Sequence, residues 1–336
     1  MAQRYNSFGS YIRKKFGTIV YKVNVDAGFT CPNRDGTIST SGCIYCNNDS
    51  FRPGSCKPTL SVSEQIKNGI AYIKKRYKAE KFLVYFQPYT NTYAPVEELE
   101  RLYKEALCEP SIVGLTIGTR PDTVDEQKIA LLETLTKRYF VLVEYGMQSI
   151  YDKTLEFINR GHDYTTFLNA VDSTKNRGIF IGAHIIVGFP TETREEMLAM
   201  SDEISNMPID FLKIHQLQVI KDTPLEILYR ENPFHLFDYD EYLDFFVEFI
   251  ERLSPRIILQ RLFATAPDNI LVAPRWGKSR QEILRDIEKR LELKDTYQGK
   301  NMKVHARIPS GRGSLPLLVG GRPKRHSLQR LKQSED

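Results

Sequence analysis

The stretch Cys31-Pro-Asn-Arg-Asp-Gly-Thr-Ile-Ser-Thr-Ser-Gly-Cys43-Ile-Tyr-Cys46 places three of the five cysteines of the chain within sixteen residues. It closely follows an apolar, β-branched run at residues 19–25, which predicts a first β-strand. Catalytic loops of parallel barrels lie at the carboxyl ends of the strands, so the position of this loop favours a reactive centre. Five cysteines are too few and too unevenly spaced for a disulfide scaffold in a chain of 336 residues.

Two kinds of metal site are compatible with these thiols. If Cys56 joins the other three, four sulfurs close a structural zinc site. If only Cys31, Cys43 and Cys46 bind a four-iron cluster, one iron stays open to an outside ligand, which is a catalytic arrangement. Independent thiols without a metal are the third interpretation, and the clustering of three cysteines on one loop disfavours it.

Apolar runs at intervals of about 30 residues predict six successive strand–helix units. The predicted strands are Ile19–Val25, Phe82–Gln87, Val113–Ile117, Phe140–Glu144, Ile179–Val187 and Phe211–Leu217, with a candidate seventh at Ile257–Leu262. Capping boxes at Ser61, Thr123 and Thr193 predict the starts of intervening helices. Two further helices are predicted at Phe237–Leu253 and Ser279–Leu293. The sequence therefore predicts an α/β fold, a partial (split) parallel (βα)6 barrel with C-terminal helical additions.

The chain is expected to contain four parts. These are a basic N-terminal segment (1–17), the barrel core (18–235), a C-terminal α/β extension (236–299) and a basic, flexible tail (300–336). The net charge of +5 is concentrated in residues 301–336, which hold eight basic and two acidic residues. A nucleic-acid-binding surface on the body must therefore come from the arrangement of its charges. No long apolar run or apolar leader is present, which predicts a cytoplasmic protein without a membrane span.

Polar residues follow the predicted strands where the carboxyl ends of those strands would converge. They include Gln87, the segment Gly118-Thr119-Arg120-Pro121-Asp122, Glu144, His184 and His215. Because these ends meet at one mouth of a barrel, their convergence beside the cysteine loop predicts a binding site. For Glu144 taken alone, a structural ion pair with Arg120 and ligand binding are equally open.

These motifs resemble the radical S-adenosylmethionine (radical SAM) superfamily, and more narrowly a bacterial group related to the catalytic domain of Elongator subunit 3. The similarity extends from about Tyr5 to Gly299. Its specific parts are Cys31-x11-Cys43-Ile-Tyr-Cys46, Gln87–Thr92, Gly118-Thr-Arg-Pro-Asp122, Glu144-Tyr-Gly-Met-Gln-Ser149, Arg160-Gly-His162 and Gly188-Phe-Pro-Thr-Glu-Thr193. The first cysteine gap is longer than the superfamily's usual three residues, a departure that the Elongator-like branch shares.

The resemblance implies a barrel of radical SAM type with a [4Fe–4S] cluster on Cys31, Cys43 and Cys46. The amino and carboxylate groups of S-adenosylmethionine would complete the coordination of the fourth iron. An electron from the cluster would then cleave the sulfonium and release a 5′-deoxyadenosyl radical that abstracts hydrogen from substrate. In this interpretation the protein supplies orientation and exclusion of water.

The resemblance also implies further cofactor contacts. Gln87, Tyr89 and Asn91 would lie along the methionine amino group, Glu144 at the ribose, Arg160 at the methionine carboxylate, and the Val187–Gly188 backbone along the adenine, with Gln148 in the same site. Thr119 and Arg120 are expected to serve either the cofactor or the substrate. Cys56 and Cys108 are expected to be structural or free.

Elongator-like radical enzymes act on the wobble uridine of tRNA, and the bacterial group is associated with later maturation of aminomethyl side chains there. The resemblance therefore implies a tRNA substrate whose carboxymethylaminomethyl-uridine becomes aminomethyl-uridine. It also implies a reductant protein of flavodoxin or ferredoxin type and a downstream methyltransferase as partners.

Basic clusters interleaved with tyrosines, at residues 13–15 and 74–81, are compatible with RNA binding and equally with solvated helix faces. Two other functions stay open. One is a radical SAM enzyme on a porphyrin-like small molecule, and the other is a zinc-stabilised binding protein without catalysis.

Overall fold

The computed structural model describes residues 3–47 and 59–303. The predictions for Cys56 and for the tail beyond residue 303 lie outside the described residues. The strands are β1 (Val20–Val25), β2 (Lys81–Phe86), β3 (Ile112–Thr119), β4 (Phe140–Gln148), β5 (Phe180–Val187), β6 (Phe211–Gln216), β7 (Val219–Ile220), β8 (Ile258–Arg261) and β9 (Leu271–Ala273). The α-helices are α1 (Phe8–Phe16), α2 (Val62–Arg76), α3 (Val96–Ala106), α4 (Glu126–Thr136), α5 (Asp152–Phe157), α6 (Tyr164–Thr174), α7 (Arg194–Asn206), α8 (Pro224–Glu231), α9 (Tyr239–Arg252) and α10 (Arg280–Leu293).

A parallel sheet of seven strands forms the body of the protein, in the order β1-β2-β3-β4-β5-β6-β8. All six predicted strands are present, and the candidate seventh joins the same sheet as β8, parallel to β6. The strand order leaves β1 and β8 as the two edges, so the barrel is partial, as predicted. A short antiparallel pair, β7 with β9, lies outside this sheet.

The sheet is strongly curled. Lys22 on β1 places its Nζ 3.6 Å from Oε1 of Glu144 on β4. Neighbouring strands lie about 4.8 Å apart, so β1 and β4 would be roughly 14 Å apart in a flat sheet. Side chains from distant strands therefore meet inside a concave interior.

The amino-terminal end of this interior is closed by apolar packing. Side chains of the strands meet α1 there, in a cluster of Leu83, Phe140, Leu142, Phe211, Ile258 and Ile12 with Phe8, Tyr11 and Phe16 against it. The Tyr11 and Phe211 rings pack edge to face with centroids 5.3 Å apart. Helix α1 thus blocks one end of the barrel, and the opposite mouth, at the carboxyl ends of the strands, remains for a site.

The predicted helix starts are confirmed at Ser61 and Thr193, where both capping-box hydrogen bonds form. The predicted start at Thr123 is wrong, because α4 is capped by Asp125. Thr123 belongs to a 3₁₀ turn that begins at Pro121, and its hydroxyl lies 2.8 Å from that of Thr92. The predicted C-terminal helices form as α9 and α10.

Among the described residues, no helix combines the length and apolarity that a membrane crossing requires.

Candidate functional site

The cysteine loop leaves β1 and folds back onto the end of α5. The carbonyl of Cys31 accepts hydrogen bonds from the backbone amides of Arg34 at 2.8 Å and Asp35 at 3.1 Å, so a tight turn follows the first cysteine. The Ile44 amide donates to the Ile158 carbonyl at 3.0 Å. These contacts fix the loop at the carboxyl ends of the strands, as the sequence predicts.

Two nitrogen donors point at the sulfur of Cys43, which is buried. Asn33 Nδ2 lies 3.6 Å from Sγ, and Arg160 Nη1 lies 3.5 Å from it. Arg160 Nη2 also donates to the carbonyl of Gly146 at 2.8 Å, while its buried Nε has no partner among the described residues. A cationic donor favours the thiolate, which is the form of cysteine that binds metal.

Cys46 is close to the other two cysteines of the loop. Burial, together with the thiolates of Cys43 and Cys31, raises the pKa of Cys46 to about 12, against the opposing effect of Arg34. Its carbonyl accepts a hydrogen bond from Arg34 Nη2 at 2.5 Å. Burial and neighbouring negative charge both disfavour the thiolate of Cys46, so a positively charged metal group would stabilise it.

Within residues 3–47 and 59–303, no three Cys, His, Asp or Glu side chains are arranged to hold a single metal ion. The three predicted cysteines nevertheless interact electrostatically on one loop. Cys108 is exposed at the end of α3, on a different part of the chain.

The segment after β2 is fixed to β3 by Asn91. Its buried side-chain amide donates to three carbonyls, those of Phe86 at 3.2 Å, Pro88 at 2.9 Å and Gly118 at 2.8 Å. Tyr89 adopts a positive φ of 60° within this turn, and Gln87 precedes it, half-buried. Asn91 therefore shapes the segment that the resemblance assigns to the methionine amino group. Its Oδ1 is buried and has no hydrogen-bond partner among the described residues.

Arg120 holds the backbone of Arg160. Its Nη1 donates to the Arg160 carbonyl at 2.9 Å, while Nε and Nη2 form a two-pronged ion pair with Asp122 at 2.9 and 2.6 Å. The alternative pairing of Arg120 with Glu144 is therefore wrong. Thr119 faces a hydroxyl cluster instead, with its Oγ1 2.6 Å from that of Thr92.

The sequence predicts that the fourth strand ends at Glu144. In the structure β4 continues to Gln148, so Glu144 lies within the strand. The carboxylate points into the barrel interior and both of its oxygens are occupied. Gln260 donates to Oε1 at 2.6 Å, and His184 Nε2 lies 3.0 Å from Oε2, which also pairs with Lys213. Burial by itself raises the pKa of Glu144, but Lys213, Lys22 and His184 together hold that pKa well below its usual value.

The polar layer around Glu144 contains residues that the sequence analysis did not single out: Lys22, Tyr85, Lys213, Gln260 and Arg261. A signal for some of them was present. Lys22 and Asn24 alternate with valines in β1, and Lys213 and His215 alternate with apolar residues in β6. Polar residues at every second position show that one face of each strand lines a polar interior.

The remaining predicted residues lie at the carboxyl ends of β4 and β5. Gln148 ends β4 with a positive φ of 67°. Val187 ends β5, and Gly188 follows with a φ of 99°. A Cβ at Gly188 would lie 3.1 Å from the Phe237 ring, so a residue without a side chain keeps the backbone close to this ring.

Comparison with known proteins identifies the superfamily of this chain. The family model of the Radical SAM superfamily matches residues 31–204, and the model of the Radical_SAM C-terminal domain matches residues 209–293. The chain belongs to the radical SAM superfamily. The uncharacterized protein YtqA of Bacillus subtilis (strain 168) is 32% identical over 301 residues, which cover 89% of this chain and 92% of that protein.

Two further similarities link this radical SAM protein to Elongator subunit 3. The tRNA uridine(34) acetyltransferase of Methanocaldococcus jannaschii is 27% identical over 181 residues, which are 53% of this chain and 32% of that protein. The structure of the archaeal Methanocaldococcus infernus Elp3, with an N-terminal deletion, has a TM-score of 0.65 and 20% identity, and the match covers 83% of this chain and 64% of that one. The structural match shows a shared fold, and the sequence similarity supports the predicted relation to Elongator subunit 3.

The cofactors of this radical SAM protein are a [4Fe–4S] cluster and S-adenosylmethionine. The residues present fit them: three thiols on one loop supply an incomplete ligand set, and Arg160 presents an unpartnered Nε beside Cys43. When bound, the cluster supplies the electron that cleaves S-adenosylmethionine. Asn33 and Arg160 donate to Cys43, the Gly146 carbonyl holds the guanidinium of Arg160, and Arg120 holds the Arg160 backbone.

The two basic clusters lie at the opposite end of the barrel from the cysteine loop. Residues 13–15 end α1, and residues 74–81 run from the end of α2 to the start of β2. The clusters meet where Lys81 Nζ donates to the Phe16 carbonyl at 3.0 Å. An RNA that contacted them would have to extend from the amino-terminal face of the barrel to the mouth.

Proposed function

We propose that this radical SAM enzyme acts on the wobble uridine of tRNA and converts carboxymethylaminomethyl-uridine to aminomethyl-uridine. S-adenosylmethionine would be the oxidant for the C–H bond between the nitrogen and the carboxylate, and water would hydrolyse the resulting imine, so that the carboxymethyl group leaves as glyoxylate. The observation that carries the proposal is the match of 53% of the chain to a protein named for uridine 34 of tRNA. The narrower choice of side chain rests on the resemblance of the motifs to the bacterial group.

Several residues have defined roles in this proposal. Cys31, Cys43 and Cys46 bind the cluster. The Nε–H of Arg160, which has no partner among the described residues, donates a hydrogen bond to the carboxylate of S-adenosylmethionine. The segment from Gln87 to Asn91 lies along its amino group. Because both oxygens of Glu144 accept hydrogen bonds from protein groups, we assign Glu144 to the barrel interior rather than to the ribose.

The remaining cofactor contacts follow the positions of the strand ends. Gln148 and the backbone at Val187–Gly188 stand at the carboxyl ends of neighbouring strands β4 and β5, where the nucleoside part of the cofactor would lie. Thr119 contributes by fixing the end of β3 through its hydroxyl cluster.

The proposed reaction requires partners. An electron donor of flavodoxin or ferredoxin type would reduce the cluster in the cytoplasm. The product carries a free amine, so a methyltransferase that modifies aminomethyl-uridine would act next.

Nucleoside mass spectrometry of tRNA tests this function. A strain that lacks the gene should accumulate carboxymethylaminomethyl-uridine and lose the aminomethyl forms, and the wild-type gene should restore them. A gene that encodes Cys43→Ala should not restore them, which ties the change to the cluster. An unchanged wobble-uridine profile in the deletion strain would contradict the RNA assignment and direct the search to small-molecule substrates.

A further inference from the structure

The barrel interior contains more positive than negative charge. Lys22, Lys213 and Arg261 interact with one another there, and Glu144 is the carboxylate that faces them. Glu144 accepts from Lys213 and lies within 3.6 Å of Lys22. Within the described residues, Arg261 forms no ion pair with a carboxylate, and its Nη1 lies 3.5 Å from His215 Nε2. The described residues of this cluster therefore include three basic side chains and one carboxylate.

An irregularity in the sheet brings Arg261 to this cluster. The pairing of β6 with β8 shifts register between Leu212 and Lys213, so that Leu212 faces Leu259 while Lys213 faces Arg261. Gln260 contacts Glu144, and the next residue, Arg261, contacts His215, so two successive residues of β8 reach the interior. Bulges of this kind re-aim side chains and are frequent beside active sites.

Some side chains of the cluster are accessible to solvent. The side chains of Lys22 and His184 are 24% and 20% exposed, whereas those of Glu144 and Lys213 are 0% and 4% exposed. The His184 and His215 rings lie 6.0 Å apart, and His215 and Arg261 are both half-buried. Lys22, His215 and Arg261 are therefore partly accessible to solvent, whereas Glu144 and Lys213 are buried.

This cluster is next to the proposed cofactor site, two residues earlier along β4. Inward-facing positions alternate along a strand, so Glu144 and Gly146 are neighbours on the inner face of β4, about 7 Å apart. The Gly146 carbonyl holds Arg160, which contacts Cys43. A ligand that reached His215 and Arg261 would pass close to the reacting centre.

We propose that Arg261 and His215, with Lys22, form a subsite for a carboxylate of the substrate. The subsite deepens the proposed function and rests on it: the carboxylate is that of the carboxymethyl group on the wobble uridine, which the product lacks. A planar guanidinium binds a carboxylate through two parallel hydrogen bonds, and the free cation of Arg261 offers this geometry. The enzyme would thereby distinguish its substrate from its product by charge.

Binding of two anticodon stem-loop RNAs tests the subsite. The RNAs are identical except for carboxymethylaminomethyl-uridine or aminomethyl-uridine at the wobble position, so their phosphates are matched. Fluorescence anisotropy is measured with the reconstituted enzyme and S-adenosylmethionine, without reductant. The wild type should bind the carboxylate-bearing RNA about tenfold or more tightly, as expected for a charge-assisted contact. Arg261→Gln should remove this preference and keep the affinity for the aminomethyl RNA.

Two variants control this experiment. Arg285→Gln makes the same charge change on the exposed face of α10 and should retain the full preference. Arg261→Lys keeps the charge without the two-pronged geometry and should retain part of it. A wild-type preference that persists in Arg261→Gln would overturn the subsite, as would equal affinity of the wild type for both RNAs.

A small carboxylate separates failure of the subsite from failure of the proposed function. N-methylglycine carries the same amino-carboxylate group as the modified uridine. It should raise the thermal unfolding midpoint of the wild type and not that of Arg261→Gln. If the deletion strain shows normal tRNA but N-methylglycine still stabilises through Arg261, the tRNA function fails and a carboxylate subsite stands. If neither probe depends on Arg261 while the tRNA profile changes, the subsite alone fails.

Discussion

Arg160 donates from Nη1 to the sulfur of Cys43 across 3.5 Å, although 117 residues separate them in the sequence. The same guanidinium is anchored to the Gly146 carbonyl, and its backbone carbonyl is held by Arg120. One side chain thus contacts a proposed cluster ligand, and its buried Nε has no hydrogen-bond partner in the part of the chain that the structure describes. This contact connects the cysteine loop to β4 and to the 3₁₀ turn after β3.

Arg160→Gln tests that connection. The variant loses the cationic donor to Cys43 and the free Nε, so binding of S-adenosylmethionine should weaken by roughly tenfold or more, the equivalent of one charge-assisted hydrogen bond. Calorimetric titration of the reconstituted enzyme measures the affinity, and the electron paramagnetic resonance spectrum of the reduced cluster should change as well. Arg138→Gln, an exposed change of the same kind, should leave both unaltered. Unchanged affinity in Arg160→Gln would refute the assignment.

Cys43→Ala should abolish the cluster, because two thiols cannot replace the three-ligand set. Iron analysis should fall from about four irons per chain in the wild type to near zero, with loss of the brown colour and of deoxyadenosine formation. Cys108→Ala, at an exposed position on another element, should behave as the wild type does. Cys56→Ala should also keep its iron; a bleached Cys56→Ala protein would show that a fourth cysteine participates.

The fold could be predicted because it depends on patterns that are local in sequence. The run from Phe211 to Leu217 is apolar enough to predict a strand, and Ser61 and Thr193 each stand three residues before the glutamate that completes the cap. The cap at Thr123 was wrong because Asp125 competes for the same role two residues later, and Pro121 favours a separate turn. When two N-cap residues stand this close in the sequence, the tertiary structure around them determines which one starts the helix.

The site could be predicted in part. The three cysteines share one loop, so their grouping is visible in the sequence. The partners of Glu144 come from β5, β6 and β8, and their meeting depends on the curl of the sheet. Contacts of this kind join residues that are far apart in the chain, and the end of β4 could not be placed because Gly146 and Gln148 are weak strand formers.

Lys213→Met should strongly destabilise the protein. Lys213 pairs with the buried Glu144, and its Nζ also donates to Tyr85 Oη at 2.8 Å. Lys213→Met removes the direct partner of a buried carboxylate and a hydrogen bond to Tyr85. Lys22 and His184 still face Glu144, at 3.6 and 3.0 Å, so we expect a cost of about 3 kcal/mol, the lower end of the range for breaking a buried pair. Urea unfolding measures the loss, and Glu144→Gln in the same chain should recover part of it by removing the buried charge.

A matched surface pair controls this measurement. Lys175 pairs with Asp172 on α6, where the two side chains are 41% and 70% exposed. Lys175→Met should cost less than about 1 kcal/mol, because water screens such pairs. If Lys213→Met were no more destabilising than Lys175→Met, the ion pair inside the barrel would not be a stabilising contact.

Stability should fall as the pH decreases from about 6.5 to about 4, and His184 should contribute to the fall. Burial and Lys213 lower the pKa of His184 to about 4, whereas an unfolded histidine titrates near 6.5. The groups that face it are Glu144 on β4, Lys213 and His215 on β6, and Arg261 on β8. Between those pH values the unfolded state binds a proton that the folded state does not, which costs up to about 1.4 kcal/mol per pH unit.

His184→Asn should flatten this dependence. The pKa of His162 is also lowered to about 4, by burial and Arg160, but that group is present in both proteins and cancels in the difference. The measurement is the urea midpoint of both proteins across the interval. Parallel pH profiles for wild type and variant would show that His184 does not carry the effect.

Gly146→Ala should displace Arg160 without removing any charge. A Cβ at residue 146 would lie 2.7 Å from Arg160 Nη2 and 2.6 Å from Gln148 Nε2, both of which are ends of flexible side chains. The guanidinium must therefore move from the Gly146 carbonyl and from Cys43, and binding of S-adenosylmethionine should weaken in the same direction as in Arg160→Gln. Gly9→Ala, whose Cβ meets nothing within 4 Å, should bind as the wild type does. Gly146→Ala keeps every charged group of the site. If this variant binds S-adenosylmethionine normally while Arg160→Gln binds it weakly, the cofactor requires the charge of Arg160 and not its contact with Cys43.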